Sequence, residues 1–273
     1  MIDIHCHILP GVDDGAKDLK ESIEMARIAY KDGIRTIINT SHFYDTNDFV
    51  TGEQLKKKLI NLQQKLKEEN IDMEMLLGNE AYISPNLPEL AERREVFTIN
   101  HSRYLLLELP MQEIPMYTET VIYELRLKGF IPIIAHPERY AKVIEEPNIV
   151  CDFIGQGALI QVNSGSIRGR FGEAIQKTVY TLLRHNMVHL IGSDAHASKS
   201  RRPMLKKAFE KVSEITGQAY ANQIFYEYPK AVIKDEDFEI QQPMEIQQRK
   251  KLSKNFFGRI LEKCSLFTIK RVE

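Results

Sequence analysis

The sequence predicts an α/β protein, a distorted seven-unit (β/α) TIM-like barrel with a metal site at the C-terminal rim of its strands. Three observations lead there. Seven short apolar runs alternate with stretches of helical periodicity, the pattern of a parallel sheet covered on both faces. Six of the seven runs deliver His, Asp or Glu at or just after their C-terminal ends. A closed barrel gathers all those ends on one rim, whereas the edge strands of an open sheet lie too far apart to share a site.

The elements follow in order. Residues 2–5 begin a strand, after which "PGVDDG" is a loop. Asp18 followed by Glu21 is a capping-box signal, Leu19, Ile23, Ala26 and Tyr30 recur at helical spacing, and Gly33 ends the helix. "IRTIINTSH" is a strand arriving at His42. Thr51 with Gln54 opens a second helix with a stripe of Leu55, Leu59, Leu62 and Leu66. "IDMEMLLGNE" is a strand stopping at Glu80, and "RYLLLELP" one ending at Glu108. A helix over 116–128 is closed by Gly129, "FIPIIAHPERY" reaches His136, and a helical stretch surrounds 139–154. "ALIQVNSGS" ends near Asn163, and a helix covers 172–186. "MVHLIGSDAH" ends at Asp194 and His196, with a last strong helix after Pro203. Residues 231–273 differ: a polar linker or weak helix, then a basic tail with interleaved apolar residues including Phe256, Phe257, Ile260 and Leu261, expected either as a terminal helix packed on the barrel or as a segment that docks on a partner or a membrane surface.

Composition excludes several function classes. A formal net charge of −1 provides no whole-molecule field toward nucleic acid or membrane. Three widely spaced cysteines, Cys6, Cys151 and Cys264, suit a reduced cytoplasmic protein rather than a disulfide scaffold. No basic segment followed by an apolar run resembles a signal peptide, and the apolar runs are too short to span a bilayer. The expected location is the cytoplasm.

The chemistry lies in the strand ends. Side chains alternate faces in a strand, so His5 and His7 point one way and Cys6 the other, and Asp194 and His196 share a face by the same rule. One such residue is ordinarily a cap or a loop hydrogen bond. The joint set His5, His7, Asp14, His42, Glu80, Glu108, His136, Asp194 and His196 is different, because that many charged groups cannot be desolvated together without cations. Nine ligands exceed the need of one ion, so two or three divalent ions sharing carboxylates are expected, with Glu108 as a candidate bridge. Mixed imidazole and carboxylate suits Mn²⁺, Fe²⁺ or Zn²⁺. Asp13 competes with Asp14 for the loop position, and His101, His185 and His189 fall outside the pattern. Arg139 and Arg201 follow two of the strand ends and are expected to bind phosphate through their fork geometry, with Arg202 as rival to Arg201.

A cysteine phosphatase needs an arginine six positions after the nucleophile. Val12, Gly157 and Lys270 stand there after Cys6, Cys151 and Cys264, so that mechanism is rejected. There is also no phosphate-cradling Gly-x-x-x-x-Gly-Lys loop and no Gly-x-Ser-x-Gly elbow.

"DIHCHILPGVDDGA", "TSHF", "GNE", "LELP", "AHPERY" and "GSDAH" resemble the polymerase-and-histidinol-phosphatase (PHP) superfamily. Within it they are most similar to the bacterial manganese-dependent protein tyrosine phosphatases of capsule and exopolysaccharide operons. The similarity covers residues 1–230, which sets the expected barrel domain, with the linker and tail over 231–273 outside it. The resemblance implies a trinuclear Mn²⁺ site and dephosphorylation of the tyrosine-rich tail of a partner bacterial tyrosine kinase. Two other readings remain open: a phosphoesterase for a small molecule such as histidinol phosphate, and a non-catalytic metal-stabilised scaffold that binds the kinase.

Overall fold

Seven strands, β1 (Ile2–Cys6), β2 (Thr36–Phe43), β3 (Glu74–Tyr82), β4 (Tyr104–Glu108), β5 (Ile131–Ala135), β6 (Leu159–Asn163) and β7 (Leu190–Gly192), pair in parallel in chain order. The computed structural model describes residues 1–46 and 52–247. The ring closes where β7 returns to β1: Asp194 N–H donates to His5 O at 2.8 Å and His7 N–H to Ala195 O at 2.9 Å. Asp3, buried, adds a side-chain stitch by accepting from the Ser193 N–H at 2.8 Å. The closure requires close approach, since a Cβ on Gly192 would lie 2.4 Å from His5 Cβ. Seven parallel strands in a nearly closed barrel put every C-terminal strand end on one rim.

Helices α1 (Leu19–Asp32), α2 (Gly52–Glu68), α3 (Leu87–Glu92) and α4 (Thr118–Leu127) cover the first half. Asp18 caps α1 by accepting from Glu21 N–H at 2.8 Å, and Gly33 closes it at φ 93°. The capping box is only half formed, because the Glu21 carboxylate accepts from Ser198 N–H instead. The face of α1 against the barrel is Ser22, Met25, Ala26 and Ala29, with the larger Leu19, Ile23 and Tyr30 flanking it. Small residues let the helix approach the strands, which turns the contact face from the expected stripe. In α2, Leu55, Leu62 and Leu66 are buried as their spacing predicts, while the expected cap Thr51 lies outside the described residues.

The stretch expected as one helix around 139–154 is a 3₁₀ turn (Pro137–Arg139) followed by α5 (Ala141–Glu145) and α6 (Ile149–Gly155). Pro147 lacks an N–H and disfavours helical geometry at the preceding residue, and Glu146 accordingly sits at φ −138°, ψ 85°. Then come α7 (Ser164–Ile167), α8 (Glu173–Arg184), α9 (Lys206–Thr216), α10 (Gln218–Asn222), a π-helical turn (Gln223–Glu227) and α11 (Tyr228–Ile233).

Residues 235–247 carry no helix or strand, yet they are tied to the barrel. Asp235 accepts from Arg103 N–H, Tyr104 donates to Glu236 O, Phe238 stacks on Tyr228 at 4.5 Å, and Ile246 N–H donates to Asn148 at 2.8 Å. The tail residues Phe256, Phe257, Ile260 and Leu261 lie outside the described residues. No helix among the described residues is long and apolar enough to cross a membrane.

Candidate metal centre

β1 carries His5, and its continuation carries His7; both side chains are buried on the barrel's inner face. Each Nδ1 has an acceptor: Gln161 Oε1 lies 2.9 Å from His5 and Asp13 Oδ2 lies 2.8 Å from His7. Those partners assign the ring protons to Nδ1 and leave both Nε2 atoms as lone-pair donors. The two Nε2 atoms stand 3.2 Å apart, and each is 3.1 Å from Glu80 Oε2. Convergence of two imidazole lone pairs and a carboxylate in a buried position is favourable only around positive charge.

The remaining strand ends extend this cluster. His42 on β2 places Nδ1 3.3 Å from Glu80 Oε2 and 3.7 Å from Glu108 Oε2. His136 Nε2 lies 2.9 Å from Glu80 Oε1 and 3.5 Å from Glu108 Oε1. Asp14 Oδ1 lies 3.4 Å from His42 Nε2 and 3.3 Å from His196 Nε2. Asp194 Oδ1 lies 3.6 Å from His5 Nε2 and 3.5 Å from His196 Nδ1.

Three groups have ligand atoms within 4.8 Å of one another: His7, Asp14, His42 and His196; His5, His7 and Glu80; and His42, Glu80 and Glu108. His136 and Asp194 join them through the contacts just given. All nine candidate residues therefore meet on the rim. Glu80 belongs to two of the groups, as do His7 and His42, and Glu108 stands beside Glu80 in the third. Of the two loop aspartates, Asp14 faces the cluster. Asp13 stands behind it, accepting from His7, His42 N–H and Gly15 N–H.

The electrostatics show the same demand for cations. Burial and the neighbouring Glu80 charge push the Glu108 carboxyl up to about 8. Burial also opposes ionisation of Glu80, but the surrounding imidazoles of His5, His136 and His7 outweigh burial and hold it well below the usual range. Burial disfavours a charged His5, yet Glu80 and Asp194 raise it above an ordinary histidine.

Two of the ligand candidates sit on strained backbone. His136 has φ 35° and Asp194 φ 51°, in the left-handed region that side chains rarely adopt. β7 ends at Gly192, so Asp194 and His196 are not on an extended strand as their spacing suggested; the left-handed turn brings both to the cluster.

A cavity of about 170 Å³ opens over the cluster, lined also by Met111, Arg139 and Arg201. Arg139 Nη1 donates to Asp194 Oδ2 at 3.0 Å and its guanidinium lies 4.9 Å from the Phe171 ring centre. Arg201 pairs with Asp194 Oδ1 through Nη2 and donates from Nε to Asp194 O at 3.2 Å. Arg202 is exposed and donates to Lys199 O, away from the cavity. Cys6 is buried behind β1, and burial pushes its thiol well above the usual range. An unreactive thiol facing away from the cavity agrees with the rejection of cysteine chemistry.

Several supporting residues are not evident from motif spacing. Gln161 orients His5 and hands its amide to Asn163, which donates to Asp194 at 2.6 Å. Buried Glu138 accepts from Ser166 and Asn163 N–H and so ties the Arg139 turn to β6. Period-two polarity on β6 was the available signal for Gln161 and Asn163; nothing local marks Glu138. His189, His185 and His101 stay outside the cluster: His189 accepts from Ile160 N–H, His185 contacts Thr181 O and His101 packs edge-on against Phe97.

Comparison with known proteins bears on this geometry. A family model described as "Capsular polysaccharide synthesis, CpsB/CapC" matches residues 1–234. The chain is 40% identical over 203 residues to the tyrosine-protein phosphatase YwqE of Bacillus subtilis, covering 74% of this chain and 79% of that protein. It is 31% identical over 241 residues to the tyrosine-protein phosphatase CpsB of Streptococcus pneumoniae, covering 86% and 99%. A crystal structure from work on YwqE and CpsB, described as unique metal-dependent tyrosine phosphatases, superposes with a TM-score of 0.87 at 34% identity, covering 91% of this chain and all of that one.

Proposed function

The chain belongs to the CpsB/CapC family of capsular polysaccharide synthesis, and from that premise we propose that it is a metal-dependent protein-tyrosine phosphatase. The observation that carries this reading is the convergence of His5 Nε2, His7 Nε2 and Glu80 Oε2 within 3.2 Å, a donor set that fits divalent cations. His5, His7, Asp14, His42, Glu80, Glu108, His136, Asp194 and His196 would hold two or three ions. Their mixture of nitrogen and oxygen donors suits Mn²⁺, with Fe²⁺ or Zn²⁺ as alternatives. Bound there, such ions supply Lewis acidity and an activated water near neutral pH.

The chain's own residues do the rest. Arg139 and Arg201 project at the cavity wall, anchored by Asp194, and their remaining N–H donors are available to phosphoryl oxygens. Asn163 and Gln161 lock Asp194 and His5 so that the ligands need no rearrangement when charge develops. Tyr44, 42% exposed and 5.6 Å from the His42 ring, offers an aromatic face beside the cavity for an aryl phosphate. A phenolate leaving group, with a conjugate pKa of about 10, departs without a strong general acid.

Family membership supports a substrate in capsule or exopolysaccharide synthesis: the phosphorylated tyrosine tail of a bacterial kinase, met in the cytoplasm. We assign catalysis to the barrel over 1–230 and give no part in it to the linker and basic tail over 231–273, of which residues 235–247 pack on the barrel. The test is a panel of phosphotyrosine peptide, phosphoserine peptide and histidinol phosphate under Mn²⁺, with and without chelator. Phosphotyrosine should be hydrolysed fastest and chelator should abolish the activity. A wide margin for histidinol phosphate would replace the proposal with a small-molecule phosphatase, and tail binding without turnover would replace it with a scaffold.

A further inference from the structure

Arg139 is held at three points. Its Nη1 donates to Asp194 Oδ2 at 3.0 Å, its guanidinium lies 4.9 Å from the Phe171 ring centre, and its main chain belongs to the 3₁₀ turn Pro137–Arg139. That turn follows His136, whose φ of 35° is strained, so partners elsewhere in the fold must keep it in place. Glu138, in the middle of the turn, supplies them. Its side chain is fully buried, and Oε1 accepts from Asn163 N–H at 2.9 Å and from Ser166 Oγ at 2.6 Å. Oε2 is buried with no hydrogen-bond partner among the described residues.

A buried carboxylate with one oxygen unpaired destabilises the fold, and an apolar side chain would fill the same space without that cost. What the carboxylate contributes is geometry: Oε1 joins the Arg139 turn to the end of β6 and to α7. Asn163 closes the circuit, since its side-chain amide donates at 2.6 Å to Asp194 Oδ2, the same oxygen that takes Arg139 Nη1. The chain after α7 adds the third hold. A Cβ on Gly165 would fall 2.9 Å from Phe171 Cε2, so the bare glycine leaves room for that ring against Arg139.

We propose that Glu138 and Phe171 are positioning residues for Arg139, the first fixing its turn through Asn163 and Ser166 and the second fixing its guanidinium plane; the proposal rests on the phosphatase reading above. Neither residue lines the cavity, whereas Arg139 does, so each acts through Arg139 alone. Cation–π stacking holds the guanidinium in one orientation, and the anchored turn holds its base. The donors of Arg139 that are not on Asp194 are then aimed before the phosphoryl group arrives. Such preorganisation matters because a displacement of about 1 Å in a charge-stabilising donor forfeits much of its effect on rate.

The experiment measures kcat for p-nitrophenyl phosphate and bound Mn²⁺ in the full chain, for Glu138→Ala, Glu138→Gln and Phe171→Ala, each with Arg139 intact and with Arg139→Ala. With Arg139 intact, Glu138→Ala should lower kcat roughly 10- to 100-fold and Phe171→Ala roughly three- to tenfold, with Mn²⁺ content at the wild-type level. In the Arg139→Ala background both should change kcat by less than about twofold, because the group they aim is gone. Glu138→Gln keeps an acceptor oxygen for Asn163 and Ser166 and should stay within about threefold of wild type. Residues that only support the fold would lower kcat by the same factor in both backgrounds, which overturns the proposal. A loss in Glu138→Gln as deep as in Glu138→Ala overturns it too, as does a fall in Mn²⁺ content that matches the fall in kcat, or an Arg139→Ala variant of wild-type rate. If Glu138→Ala does not fold, Phe171→Ala, at a partly exposed ring, decides by the same comparison. Each of these results leaves the phosphatase standing, whereas a wild-type chain that does not hydrolyse p-nitrophenyl phosphate sinks both readings.

Discussion

Replacing Asp13 by asparagine tests whether ligand orientation, rather than ligand identity alone, governs the site. The Asp13 carboxylate accepts three hydrogen bonds: Oδ2 from His7 Nδ1 at 2.8 Å and from His42 N–H at 3.1 Å, and Oδ1 from Gly15 N–H at 3.0 Å. An asparagine has one acceptor oxygen. Whichever way its amide turns, the NH₂ group meets a donor, either Gly15 N–H or the His7 and His42 pair. The imidazole of His7 then loses its anchor or moves its proton to Nε2, and in either case Nε2 is a poorer ligand. A hydrogen bond to a charged group contributes about 1.5–3 kcal/mol, which corresponds to a loss of roughly 10- to 150-fold in ion affinity. Calorimetric titration of the metal-stripped protein with Mn²⁺ measures that affinity. Aryl phosphatase activity should return toward the wild-type value when Mn²⁺ is raised to saturation, because Asp13 touches neither ion nor substrate. Wild-type affinity in Asp13→Asn would refute the orienting role, and inactivity at full metal occupancy would place Asp13 in the chemistry instead.

Other predictions follow from separate parts of the structure. Arg139→Ala and Arg201→Ala should each lower kcat on the order of 10²–10³ with metal content unchanged, whereas Arg202→Ala should remain within about twofold; metal analysis beside steady-state kinetics checks this. His189 is fully buried and burial lowers its imidazole to about 3. The unfolded chain, with an ordinary value of about 6.5, takes up that proton first as pH falls, so stability present above about 6.5 is lost toward 3, reaching about 2 kcal/mol at pH 5. Denaturant midpoints of wild type and His189→Gln between pH 7 and 5 should converge as the wild type weakens; parallel profiles would contradict it. Relative to a chain ending at Gln247, truncation after Lys234 removes the Asp235, Glu236, Phe238 and Ile246 contacts and should lower the thermal midpoint by several degrees.

Residue order alone determined the seven alternating units, the helix caps at Asp18 and Gly33, and the rim that gathers His5, His42, Glu80 and Glu108. Those features depend on period and on strand polarity, which are local: a residue's face within a strand or helix follows from its position in the repeat. Tertiary structure decided the features that lie in loops. Asp13 and Asp14 are neighbours of equal chemistry, and only the seating of Gly15, where a Cβ would fall 2.2 Å from His7 O, turns one behind His7 and the other toward His42. Arg201 and Arg202 are likewise adjacent, and only the first turns to Asp194, the second donating to Lys199 O. Glu21 leaves its own capping box to hold Ser198, and Asp194 adopts a left-handed backbone that no alternation rule anticipates. In each case the direction of a side chain is set by partners far along the chain, brought close by barrel closure, and such partners leave no periodic trace in the sequence around the residue they orient.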